Sequence, residues 1–171
     1  ELGRTVGEIV TEAGGRPGDI QAVVLGGYFG TWAGIRDAWD LPLDPVVLRG
    51  RGLTFGCGIV GLLPTDICGV AATARIISFL AAESAGQCGP CLHGLRAIDG
   101  ATTAVAIGRA GSAEVAHIER WTSQISGRGA CHHPDGAVQL MTSALNVFGD
   151  EFMRHGTRNR CSVTGARLEA A

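Results

Sequence analysis

Two of the chain's six cysteines stand three positions apart in Cys88-Gly89-Pro90-Cys91. A third, Cys131, follows about forty residues later in Gly127-Arg128-Gly129-Ala130-Cys131-His132-His133-Pro134. Both stretches are Gly-containing turns beside apolar helical patterns. Thiols carried on turns can converge on one point, which is what a soft metal requires. Three chemistries use such a set. Iron–sulfur ligation leads, but a standard cubane takes four thiolates, and its compact run is Cys-x-x-Cys-x-x-Cys. The position that would complete that run is Ala85, which has no donor atom. The fourth corner then falls to water, to a thiol from elsewhere, or to one of Ser84, Gln87, His93, His132 and His133. Otherwise the cluster has three irons, or is absent. The second chemistry is a dithiol, because Cys-Gly-Pro-Cys is the thioredoxin active-site sequence and a helix N-terminus lowers a thiol pKa. That motif needs a βαβ context, whereas long helices are expected on both sides. The third is structural zinc on three cysteines and His132 or His133.

The elements that must position these thiols fall into two parts. In the first, Thr5 to Ala13 reads as a short helix with Val6, Ile9, Val10 and Ala13 on one face, stopped by Gly14-Gly15. Ile20 to Leu25 reads as a buried strand. Tyr28 to Asp40 reads as a loop with a helical turn, and Val46-Val47-Leu48 as a short strand. Leu53 to Leu63 reads as a Gly-rich apolar strand ended by Pro64.

The second part is helical. Thr65-Asp66 offers an N-cap, and Cys68 to Glu83 is apolar on nearly every face, as in a buried helix. Beyond the cysteine turn, Leu92, Leu95 and Ile98 repeat at helical spacing, and Ala101 to Ile107 suits helix or strand. Ser112 opens a helix with Val115, Ile118 and Ile125 inward. Asp135 opens the last, where Met141, Leu145, Phe148 and Phe152 share a stripe and His155-Gly156 form the end. Four helices with short connections predict a bundle. The expected fold class is α+β. The expected domains are residues 1–66 as a small α+β unit, 67–157 as a helical metal-binding unit, and 158–171 as a frayed tail.

Composition narrows the function classes. The chain has 171 residues, 46% hydrophobic and 18% charged, so most of it folds around a core. Its net charge of −2 gives no reason to expect a nucleic-acid partner. All fourteen cations are arginine, the mark of a GC-rich coding sequence. No apolar run reaches the ~18 residues of a membrane span. The start, Glu1-Leu2-Gly3-Arg4, has neither a basic stretch nor an apolar one. The expectation is a cytoplasmic protein, peripheral to any membrane complex, with further sequence upstream. Six cysteines in that setting point to metal or redox use rather than disulfides.

The segment Glu83-Ser84-Ala85-Gly86-Gln87-Cys88-Gly89-Pro90-Cys91 resembles the cluster-binding turn of the F-type flavoprotein subunit of NADH–quinone oxidoreductase, which reads Glu-Ser-Cys-Gly-x-Cys-x-Pro-Cys. Related turns occur in the diaphorase subunits of NAD-linked hydrogenases and formate dehydrogenases. Cys131 matches the family's fourth cysteine. Upstream, Val6 to Trp32, with Ala22 to Gly27, is similar to the SLBB β-grasp module of the same subunits, and Gly52 to Val60 to its closing strand. The resemblance implies a β-grasp unit followed by a four-helix iron–sulfur domain, with Cys88, Cys91 and Cys131 as cluster ligands. It implies a 4Fe-4S cluster with a non-cysteine fourth ligand, or a 3Fe-4S cluster, passing electrons from FMN reduced by NADH. The FMN and NADH motifs of the family lie outside this chain, so it would relay electrons rather than turn over NADH alone. Its partners would be a flavin domain or a ferredoxin-like protein. A cluster-free structural or interaction module is the alternative. Ala85 for the family's first cysteine, and Leu92 for its common arginine, are the departures.

Cys68 stands one helix away, ~20 Å from the turn, too far to replace the missing ligand. Cys57 and Cys161 read as buried or free thiols. His93, His132 and His133 are alternatively hydrogen-bond donors to cluster sulfur, or plain turn residues. The tryptophans read as packing. Arg154, His155, Arg158 and Arg160 read as a solvated helix end.

Overall fold

A computed structural model describes residues 3–165. They form two compact units, divided between Thr65 and Asp66.

The first unit is a three-stranded antiparallel sheet with short helices. α1 (Val6–Glu12) begins with a reciprocal cap: the Glu8 amide donates to Thr5 Oγ1 at 3.2 Å and the Thr5 amide to Glu8 Oε2 at 2.8 Å. β1 (Ile20–Leu25) is the central strand, between β2 (Thr31–Gly34) and β3 (Val60–Pro64). Val23 lies opposite Ala33 on one side and Leu62 on the other. The core gathers Val6 and Val10 with Val23, Leu25 and Leu48.

Three local expectations change here. The glycine-broken stretch after Tyr28 contains the expected helical turn, α2 (Ile35–Ala38), but a strand, β2, precedes it in place of loop. Val46-Val47-Leu48 is helical, in α3 (Pro45–Gly50), because Asp44 accepts the Val46 and Val47 amides at 2.8 and 3.0 Å and Pro45 occupies the first turn. The closing strand is Val60–Pro64 rather than Gly52 to Val60. Gly56, with φ +47°, lies in the turn of residues 55–58 before it, where a Cβ would lie 2.4 Å from the Gly26 carbonyl oxygen.

In the second unit, α4 (Gly69–Ala82) packs on α5 (Arg96–Ala106) and α7 (His133–Arg158), and α6 (Ser112–Ile125) packs on both of those. α4 buries one face, Val70, Thr73, Ala74, Ile77 and Leu80, while Phe79 is half exposed. It is therefore amphipathic, with its small alanines on the flanks. Residues Leu95, Ile98, Ile118, Leu140, Met141 and Phe152 are fully buried between the four helices.

Helix boundaries shift from the expected ones. Cys68, not Thr65 or Asp66, occupies the N-cap of α4, and Ala101 onward is helix. Gly111 precedes α6, its amide held by Glu114 Oε2 at 2.9 Å. α7 starts at His133, so Asp135 lies in its first turn. It also runs past His155-Gly156 to Arg158 and ends at Asn159 in the left-handed conformation. Gly156 serves there as a close approach to the Gly111 backbone rather than as a stop. Among the described residues no helix is long and apolar enough to cross a membrane.

Candidate functional site

The cysteine turn starts where α4 stops. After Glu83 the backbone leaves the helix, and Gly86 takes φ +62°. Ser84 Oγ accepts the Gly86 amide at 3.1 Å, and Gln87 Nε2 donates to the Ala85 carbonyl at 3.0 Å. These local bonds hold the turn open instead of continuing α4. The Cys91 and Leu92 amides then close on the Cys88 carbonyl at 3.1 and 2.9 Å. Pro90–Leu95 follows as a π-helical segment leading into α5. Such a widened turn re-aims side chains and recurs at functional sites. The second turn is tied to the start of α7, with the Gly127 amide donating to Asp135 Oδ1 at 2.7 Å. Pro134 packs there against Gly129.

These two turns bring the three thiols together. Cys91 is buried, Cys88 half-buried and Cys131 exposed, and all six cysteines are reduced. The Cys88 sulfur accepts the backbone amides of Ala130 and Cys91, which lower its pKa and favour the thiolate. Burial pushes the Cys91 thiol up, against the Ser84 hydroxyl that touches it; the nearby sulfurs of Cys88 and Cys131 push it further. Negative charge on all three thiols would thus be mutually unfavourable without a cation among them.

Cys88 and Cys131 both lie near enough to Cys91 to act on its thiol, and amide donors are aimed at Cys88, a donor set compatible with three corners of an iron–sulfur cluster. The fourth corner has no thiolate. Ala85 is exposed and brings no donor. Ser84 touches Cys91. Gln87 is turned to its own turn's carbonyl. His93 is exposed and lines a groove with Gly94, Gln124, Ile125 and Arg128. His132 is fully exposed, 3.5 Å from Asp135, and His133 Nε2 lies 2.8 Å from the Leu80 carbonyl. Cys-Gly-Pro-Cys runs from the turn after α4 into the π-helical segment, with helices rather than strands flanking it, so the context of a thioredoxin dithiol is not there.

A second convergence lies at the other end of α4. Cys68, Glu151, His155 and Cys161 place one ligand atom each within 4.8 Å of one another. In the sequence Cys161 reads as a buried or free thiol, and it is almost fully buried; His155 reads as part of a solvated helix end, yet it too is almost fully buried. The signal that points to them is Glu151-x-x-x-His155, one helical turn apart, followed closely by Cys161. Cys57 belongs to the first unit, its thiol 3.4 Å from the Gly26 carbonyl. Trp32 is buried and Trp39 packs on the first unit's core, while Trp121 stacks on His117.

Residues 71–155 match the family described as the NADH-ubiquinone oxidoreductase-F iron-sulfur binding region. Similar proteins include the F subunit of NADH-quinone oxidoreductase from Streptomyces coelicolor, 26% identical over 99% of this chain and 38% of the relative. Another is the F 2 subunit of the Rhizobium meliloti enzyme, 28% identical over 94% of this chain and 38% of that protein. The chain therefore spans well under half the length of these relatives. The crystal structure of an NAD+-reducing [NiFe]-hydrogenase in the H2-reduced state shares the fold, with a TM-score of 0.78 at 21% identity over 90% of this chain and 26% of that one.

Proposed function

Through its helical unit the chain belongs to the NADH-ubiquinone oxidoreductase-F iron–sulfur binding family, and on that premise we propose that it is the electron-transfer part of an NADH dehydrogenase, taking electrons from a flavin and passing them to a further acceptor. The observation that carries this reading is the meeting of Cys88, Cys91 and Cys131 from two turns, with the Ala130 and Cys91 amides on the Cys88 sulfur. Cys88, Cys91 and Cys131 would hold the cluster when it is bound. Ser84, beside Cys91, is the side chain best placed to serve the fourth iron or a water bound to it. When bound, the cluster supplies one-electron relay at low reorganisation cost.

The chain's own residues set the conditions for that relay. The amide donors stabilise the Cys88 thiolate and raise the reduction potential. Burial of Cys91 keeps one corner away from water, while exposed Cys131 leaves another near the surface, where a partner can approach. The helices of residues 67–157 act as a four-helix bundle around this turn. The first unit acts as the SLBB β-grasp module, within residues 1–66. The flavin and its NADH site belong to a separate domain or subunit, and the chain works as a peripheral part of a larger oxidoreductase.

The test is EPR of anaerobically purified chain, as isolated and after dithionite. A signal in the oxidised sample alone indicates three irons, and one after reduction alone a cubane with a non-thiolate corner; either supports the relay. Loss of that signal in Cys131→Ala is also expected. A second reading, a cluster-free structural module, is favoured by Ala85; silence in both samples from a folded chain would establish it.

A further inference from the structure

We propose that Cys68, Glu151, His155 and Cys161 form a tetrahedral structural zinc site, separate from the cysteine turn, that ties the start of α4 to the end of α7 and to the segment after it. Bond lengths of about 2.0–2.3 Å place the ligand atoms of tetrahedral zinc ~3.3–3.8 Å apart. Cys68 Sγ lies 3.6 Å from His155 Nε2, and His155 Nε2 lies 3.1 Å from Glu151 Oε1. Cys161 reaches both Cys68 and Glu151. The four donors thus already stand close to coordination distance around one point.

The surroundings are those of a metal ligand set. His155 Nδ1 lies 3.3 Å from the Val105 carbonyl. Donating that proton fixes the tautomer whose Nε2 lone pair faces the three other ligands, the usual arrangement of a metal-bound histidine. In that tautomer Nε2 cannot donate to Glu151, so the 3.1 Å approach takes either a second proton on the ring or a cation shared by the two acceptors. Glu151 is oriented in turn by the Ser162 amide and hydroxyl and by Arg154 Nε at 3.5 Å. Cys68 occupies the N-cap of α4, with the Ala71 and Val70 amides near its sulfur; burial nonetheless pushes its thiol pKa up to about 11. The left-handed Asn159 turns the chain back to deliver Cys161.

Two sulfurs, one imidazole and one carboxylate match zinc better than the oxygen-seeking magnesium or calcium, or sulfur-seeking cuprous ion. Four protein donors leave no open position, so the role is structural. Binding displaces one proton from each thiol to solvent and moves no electrons. The net −1 of zinc, two thiolates and a carboxylate is offset by Arg154.

The test measures zinc per chain after growth with added zinc, in the full chain and in a Cys88→Ala/Cys91→Ala/Cys131→Ala variant that removes the thiols of the turn. One zinc in both is expected, along with thiolate-to-cobalt absorption when cobalt replaces it. Cys161→Ala should lose the metal. Glu151→Gln, which keeps the Ser162 contacts and hence the fold, should hold zinc roughly tenfold or more weakly in a chelator competition. Zinc absent from the folded triple variant would overturn the proposal. So would a Cys68–Cys161 disulfide, iron in place of zinc, or ready alkylation of Cys68 and Cys161 in the native chain.

Discussion

The two ends of α4 pose opposite problems. At its C-terminal end, Cys88 and Cys91 share one short turn, so the motif can be seen in a line of sequence, yet Ala85 leaves the donor set a thiolate short. At its N-terminal end, four donors come from three segments spread over the whole helical unit, and the set is complete and largely buried. Compactness in sequence and completeness in space are independent. A turn can retain most of a motif after losing one ligand, because its backbone is held by local bonds such as Ser84 to Gly86. A site assembled by helix packing has no local signature, because its geometry exists only when α4 and α7 are packed.

The largest expected effect separates the ends by what holds them. Stripping zinc with a strong chelator should lower the melting temperature of the helical unit by roughly 10 °C or more, because a tightly bound ion contributes about 4 kcal/mol at a thousandfold excess over its dissociation constant. Calorimetry with and without chelator measures it. A shift of under a few degrees would mean that packing alone holds the N-terminal end of α4.

Restoring the missing thiol should act on the other end alone. Ala85→Cys places a sulfur on an exposed, non-helical turn without strain, and should raise iron content to about four per chain and slow cluster loss in air by about tenfold. Zinc content and melting temperature should hardly change. Iron and sulfide analysis before and after air exposure checks this.

A matched pair of glycines sharpens the contrast. A Cβ at Gly69 would lie 2.5 Å from the Phe148 ring, and one at Gly94 would lie 2.4 Å from Ile125 Cγ2. Both alanine variants should cost about 1–3 kcal/mol through overpacking. Gly69→Ala should weaken zinc binding because it displaces Cys68 from α7, and Gly94→Ala should weaken the cluster because it displaces the π-helical segment carrying Cys91. Denaturant unfolding combined with metal analysis distinguishes them; equal loss of both metals in both variants would show the two ends to be coupled.

The smallest effect is one of reactivity. In the metal-free chain at neutral pH, Cys88, partly exposed and with its pKa lowered by the Ala130 and Cys91 amides, should be alkylated before Cys91, whose pKa burial raises. The difference should vanish if the turn unfolds, because both the amide contacts and the burial are then lost. Mass spectrometry of timed iodoacetamide reactions reads it.

What is legible in the sequence follows the same division. The β1 strand, α1 and the stripe Met141-Leu145-Phe148-Phe152 are local periodicities, and they appear where the pattern places them, although Leu145 is only half-buried. Val46-Val47-Leu48 suits a strand by its β-branched residues, whereas the Asp44-Pro45 start decides for a helix. The second site is not legible because Cys68 gives no sign of Cys161, and because a histidine near the end of a helix reads as a solvated cap until its burial is known. The frayed-tail reading fails for the same reason at Cys161, while residues 166–171 lie outside the described structure.

The measurement that bears most directly on the central claim is iron and acid-labile sulfide per chain, on protein purified without oxygen. The account predicts about three to four irons with matching sulfide, abolished together by Cys88→Ala/Cys91→Ala. A folded, colourless chain with neither iron nor sulfide would contradict it, and would leave the helical unit as a scaffold that keeps the shape of a cluster site but not its chemistry.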